Sequence, residues 1–242
     1  EYMGEVSISD AFAKSINTVA VKLSESIGRE NVIQTAKSLG VNSPLLNSPS
    51  IALGTSEVNL LELTSAYNVL ANNGNGIFVH GIRSIENTSG KLLFMREGSG
   101  PGKILDSFVV STMTKMMEQT ITNGTGRKAK IDRPAAGKTG TSQSLRDAWF
   151  IGFTSDLVVG VWFGNDNDSP MNEITGGTAP AILWSDFMQK AHNGVPVKSL
   201  QYANEKKMRK FKNNDKINKI ISKSKRLNEQ KSVFERILDN FF

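Results

Sequence analysis

The chain has 242 residues, of which 38% are hydrophobic and 21% charged, with a formal net charge of +6. That suits one large domain or one domain with an appendage, and the composition excludes a disordered chain. There is no cysteine, which excludes disulfides, thiolate metal sites and a cysteine nucleophile. No apolar run approaches the roughly 20 residues of a membrane span. The chain opens on Glu1 with no signal peptide and no initiator Met. It therefore reads as a fragment or a processed piece, and any anchor or targeting signal lies outside it.

The elements follow in chain order. Residues 7–27 read as one helix that Ser7 or Ser9 caps, with Asp10 in its first turn and Gly28 after its end. Its apolar residues Phe12, Ile16, Val19, Ala20, Leu23 and Ile27 recur at threes and fours. Residues 30–39 form a second amphipathic helix, stopped at Gly40. A proline-containing loop, 42–49, leads on to a helix over 57–71 that ends in Asn72-Asn-Gly-Asn-Gly76. Residues 77–86 and 91–95 read as short strands around a turn at 87–90, followed by a Gly-rich loop, 98–102. A helix over 106–121 comes next, then two β-rich runs, Ala148–Thr154 and Leu157–Phe163, joined by a tight Ser155-Asp156 turn. The last helix of the body spans 180–192. Strands joined by short turns pair antiparallel, so the class is α+β, with helices packed on an antiparallel sheet.

The basic charge belongs to the end of the chain. Residues 198–242 carry 13 Lys+Arg and 5 Asp+Glu, whereas residues 1–197 carry 16 and 18. The boundary drawn is therefore 1–197 for the domain and 198–242 for a basic tail. Ile217, Ile220 and Ile221, then Phe234, Ile237, Leu238, Phe241 and Phe242, keep helical spacing in the tail. The tail reads either as a basic amphipathic helix contacting an anionic membrane or a protein partner, or as a solvated helix or disordered extension. Its aromatics do not interleave with the basic residues as a stacking platform, so no nucleic-acid partner is expected.

Two histidines exist, His80 and His192, neither with a second ligand at metal spacing. Both read as surface or packing residues, and no metal or cofactor is expected. A Ser-His-Asp triad would need one of them, so a base other than histidine is expected. The strongest local signal is Gly137-Lys138-Thr139-Gly140-Thr141. As a phosphate loop it would need a glycine where Asp132 stands, and Pro134 removes one amide. On a strand, the same residues make an anion anchor: two hydroxyls and an ammonium bind a carboxylate, and glycine lets a substrate backbone approach.

The Lys-Thr-Gly element, with Ser15-Ile16-Asn17 upstream of it, resembles the penicillin-recognising serine enzymes. The longer similarity is to the transpeptidase domain of class A, bifunctional penicillin-binding proteins of the 1A type, over about residues 5–190. It is carried by Ile51-Ala-Leu-Gly-Thr-Ser-Glu-Val58, Leu63-Thr-Ser-Ala-Tyr67, Thr122-Asn-Gly-Thr-Gly126, Arg133–Thr141, Arg146-Asp-Ala-Trp-Phe150, Gly160–Asp166 and Thr175-Gly-Gly177.

This resemblance implies a β-lactamase/transpeptidase-like fold, incomplete at its N-terminus. It also implies acyl transfer from a D-Ala-D-Ala donor peptide through a serine acyl-enzyme. Peptidoglycan stem peptides and β-lactam antibiotics would be its partners, at the periplasmic face of the bacterial inner membrane. Ser15 and Lys138 would move protons, Asn17 would bind the substrate amide, and Thr139, Gly140 and Thr141 would line the carboxylate site. The Thr141 N–H would serve as an oxyanion donor.

The family's Ser-x-x-Lys nucleophile motif occurs only as Ser222-Lys-Ser-Lys225, on the wrong side of Lys-Thr-Gly. The isolated chain is therefore expected to be inactive, and the parent protein to be active and also a glycosyltransferase. Two alternatives stay open. One is a serine β-lactamase-like hydrolase, for which Glu57-Val-Asn-Leu60 begins a loop motif but continues with Leu61. The other is a catalytically dead scaffold of the same fold.

Overall fold

The computed structural model describes residues 4–98 and 100–202. The tail helix, its membrane or protein contact, and Ser222–Lys225 lie outside the described residues.

The N-terminal segment differs from the single expected helix. It forms α1, Ile8–Ala13, and α2, Asn17–Ile27. Ser7 caps α1, its hydroxyl accepting the Asp10 N–H at 3.0 Å. The helix breaks because Ser15 takes a left-handed conformation with φ of 54°. The apolar spacing runs straight through this break, so periodicity alone does not reveal it. α3, Arg29–Ser38, follows Gly28, whose φ of 90° turns the chain between the two helices.

α4 spans Leu60–Ala71 rather than starting at 57, because Asn59 caps it by accepting the Glu62 N–H at 2.9 Å. The Glu62 carboxylate in turn accepts the N–H groups of Asn42 and Ser43, pinning the preceding loop onto α4. β1, Asn75–Gly76, pairs antiparallel with β4, Gly102–Lys103, so the expected Gly-rich loop is partly a strand. Of the expected strand over 77–86 only β2, Ser84–Glu86, forms, paired with β3, Leu92–Met95. Asn87 closes this hairpin by accepting the N–H groups of Ser89 and Lys91.

α5, Ser107–Thr122, is capped by Asp106. The main sheet has the order β5-β6-β7, with β5 Ala136–Thr141, β6 Asp147–Phe153 and β7 Val158–Gly164, all antiparallel. α6 spans Ala179–Ala191.

Helices cover both faces of this sheet. On one side Met117 of α5 and Tyr67, Leu70 and Ala71 of α4 pack with Ala136 and Phe153. Leu200 is buried in the same cluster, so the packed body runs past residue 197. On the other side Trp184 and Met188 of α6 pack with Phe150, with the Phe150 and Trp184 rings 5.2 Å apart and edge-on. Trp184 also donates to the Val159 carbonyl at 3.1 Å. His192 is a packing residue. Its Nδ1 bonds the Met188 carbonyl and its Nε2 the Thr154 hydroxyl, closing α6 onto the β6–β7 turn. His80 is exposed.

Trp184 is fully buried, whereas Leu93 on the β2–β3 hairpin is 61% exposed. Trp184→Ala is expected to lower stability by about 3–5 kcal/mol. Leu93→Ala should stay within about 0.5 kcal/mol. Urea denaturation of both variants checks the contrast.

Candidate active site

β5 is an edge strand of the main sheet, and its register fixes what each side offers. Antiparallel residue pairs alternate between those that exchange hydrogen bonds and those that do not. The Ser142 N–H donates to the Asp147 carbonyl at 3.0 Å, one step beyond the last pair, Thr141 with Ala148. The alternation therefore turns the N–H groups of Lys138 and Gly140 toward β6. Those of Thr139 and Thr141 turn to the edge where no described strand pairs, so the Thr141 N–H points outward.

Lys138 reaches across to the break between α1 and α2. Its ammonium donates to the Ser15 hydroxyl at 2.9 Å and to the Thr139 carbonyl at 3.3 Å. It also sits 5.5 Å from the centroid of the Phe12 ring, within cation–π range. Burial disfavours the charged form and lowers its pKa from 10.5 to about 8. Asn17 opens α2, two residues on, with an exposed side chain. The structure thus brings Ser15 to the Lys138–Thr141 strand, with Asn17 two residues on in the chain.

The Ser15 turn is held by the segment after α5. The Thr125 N–H donates to the Ala13 carbonyl at 3.0 Å. Gly124 passes so close that a Cβ there would lie 2.3 Å from that carbonyl. The Thr125 hydroxyl meets the Thr139 hydroxyl at 2.6 Å, and the Thr141 hydroxyl accepts the Gly176 N–H at 3.0 Å. Thr125 and Gly176 thus bond directly to two of the predicted site residues, and the sequence reading left both without a role. Their signal was the segments Thr122–Gly126 and Thr175–Gly177, whose glycines mark close backbone approach.

An apolar cavity of about 380 Å³ opens beside β5, lined among others by Val32, Ile51, Leu63, Tyr67, Lys138 and Trp149. Ser56 and Val58 also line it, while Glu57 between them is exposed. Glu57 does not line the cavity.

The fold and this site define a β-lactamase/transpeptidase-like protein. Residues 1–189 match the penicillin-binding protein transpeptidase domain, and the chain belongs to that family. Penicillin-binding protein 1A of Aquifex aeolicus is 37% identical over 190 residues, covering 77% of this chain and 26% of that protein. The chain spans about a quarter of the length of the curated relatives it matches.

Two solved structures share the fold. Penicillin-binding protein 1A from Haemophilus influenzae matches with a TM-score of 0.76 and 22% identity, over 83% of this chain and 36% of that one. The PonA1 protein from Mycobacterium tuberculosis, in complex with penicillin V, matches with a TM-score of 0.75 and 24% identity, over 84% of this chain and 61% of that one.

The lowered Lys138 pKa has a consequence for stability. Between pH 8 and 10.5 the unfolded chain binds more protons at this lysine than the folded chain does, so stability rises with pH through that window. The stability of the unsubstituted chain relative to Lys138→Met is expected to rise from pH 8 to pH 10. A pH series of melting temperatures for the two proteins reads this directly, and a flat difference contradicts it.

Proposed function

We propose that this chain supplies the substrate anchor and proton-transfer half of a D,D-transpeptidase site that cross-links peptidoglycan. The observation that carries this reading is the Lys138 ammonium bonded to Ser15, on a strand whose edge presents the Thr139 and Thr141 amides. The donor peptide lies along β5 with its terminal carboxylate at the Thr139 and Thr141 hydroxyls, in the positive potential of Lys138. Its side amide meets Asn17. The scissile carbonyl oxygen takes the Thr141 N–H, a contact whose loss in other acyl transfers costs about 3–4 kcal/mol.

A serine from a segment preceding residue 1 attacks the carbonyl carbon of the penultimate D-Ala. The C–O bond forms, the C–N bond breaks, and the leaving amine of the terminal D-Ala takes a proton passed through Ser15 and Lys138. An acceptor amine then attacks the ester, loses its proton by the same route and releases the serine. A lysine titrating near 8 suits this exchange, because acid–base catalysis is most effective near the operating pH. The apolar cavity beside Lys138 gives the nucleophile's segment room to pack.

β-Lactams carry the same carboxylate and carbonyl and acylate the same serine. The reading places the site on the outer face of the cytoplasmic membrane. No helix among the described residues is long and apolar enough to cross a membrane. On this reading the parent polypeptide also carries a membrane anchor and a glycosyltransferase activity.

Intact mass after incubation with benzylpenicillin tests the reading. An adduct is expected on a polypeptide extended upstream through Ser-x-x-Lys, and none on residues 1–242 alone. Labelling of residues 1–242 alone contradicts the assignment of the nucleophile. An extended chain that is folded but unlabelled contradicts the transpeptidase reading. In the extended chain, Lys138→Ala should slow acylation about 10²-fold or more.

A further inference from the structure

The two hydroxyls of the carboxylate anchor must both donate, since a carboxylate only accepts. Each hydroxyl has one proton, so each must find its own acceptor needs met from behind. For Thr141 this is settled by the Gly176 N–H, which donates to its oxygen at 3.0 Å and cannot accept. Only glycine fits at 176, where a Cβ would stand 2.3 Å from the Trp149 carbonyl and 2.4 Å from the Gly140 carbonyl. For Thr139 the partner behind is another hydroxyl, that of Thr125 at 2.6 Å, and either oxygen can be the donor.

We propose that Thr125 is a positioning residue that commits the Thr139 proton to the substrate carboxylate, an inference that rests on the transpeptidase reading. With an anion in front, the pair polarises one way. The Thr125 O–H donates to the Thr139 oxygen, and the Thr139 O–H donates to the carboxylate. The competing acceptor for the Thr125 proton is the Ala13 carbonyl, which lies 3.5 Å away against 2.6 Å for Thr139. The Thr125 backbone is held by its N–H bond to the same Ala13 carbonyl and by the close packing of Gly124 against Ala13 and Gly126 against Phe150. One residue thereby couples the Ser15 turn to the carboxylate anchor.

The test uses the polypeptide extended through Ser-x-x-Lys, with benzylpenicillin and its methyl ester, which lacks the anionic carboxylate. Thr125→Val is expected to weaken the pre-covalent benzylpenicillin complex about 3–10-fold. The acylation step that follows and the reaction with the ester should change less than about twofold. Thr125→Ser, which restores the hydroxyl, should return the parent behaviour. Thr125→Ala removes the same hydroxyl with less bulk and serves if Thr125→Val melts early.

Equal losses toward acid and ester overturn the inference, because a merely structural role weakens both. No loss toward benzylpenicillin overturns it as well. Failure of the unsubstituted extended chain to acylate overturns the transpeptidase reading itself, and the inference with it.

Discussion

An ammonium lifted partly out of water must find oxygen partners, and the arrangement of this site follows from how Lys138 finds them. One partner, the Thr139 carbonyl, is local. The other, the Ser15 hydroxyl, lies 123 positions away in sequence. To present it, the chain interrupts a helix, turns left-handed at Ser15 and restarts at Asn17. That turn is stable because the segment after α5 lies against it, with Gly124 and Thr125 in contact with the Ala13 carbonyl. The same segment continues into β5, which carries Lys138. Sheet, turn and lysine form a closed loop of mutual support, and a change at one is felt at the others.

The rest of the fold fixes the position of the edge strand. α6 secures one face of the sheet through Trp184 and Phe150. α4 approaches the other face at Gly160, where a Cβ would collide with the Thr64 side chain. The outer edge of β5 pairs with no described strand, and a Cβ at Gly140 would press on Trp149. Groups on a strand are held more rigidly than groups on loops, so Lys138, Thr139 and Thr141 keep fixed places relative to one another.

Much of this was legible in the sequence. Lys138-Thr-Gly-Thr141 and Ser15-x-Asn17 pointed to the candidate site, where Lys138 and Ser15 meet, and the patterned runs placed β6, β7 and the helices from α3 onward within a few residues. What the sequence did not show was the break at Ser15, because the apolar period of residues 12–27 continues across it. Residues 77–83 have strand-like composition yet find no partner, and pairing is not a local property. Thr125 and Gly176 escaped notice for a related reason. Their roles depend on which carbonyl or hydroxyl lies opposite in space, and the sequence records only that glycines surround them. Asn59 as the cap of α4 was readable in principle, but Glu57 two residues earlier offered a competing start.

The left-handed backbone at Ser15 also limits which residue types that position accepts. Threonine would keep the hydroxyl, but a β-branched side chain is a poor occupant of positive φ. Glycine and asparagine accept the backbone readily, yet neither offers a hydroxyl to the lysine. Serine is the residue that meets both demands, so the choice at this position is made jointly by the peptide geometry and by the chemistry. A library randomised at 15 is therefore filtered once by the left-handed backbone and once by the need for a hydroxyl that the Lys138 ammonium can reach.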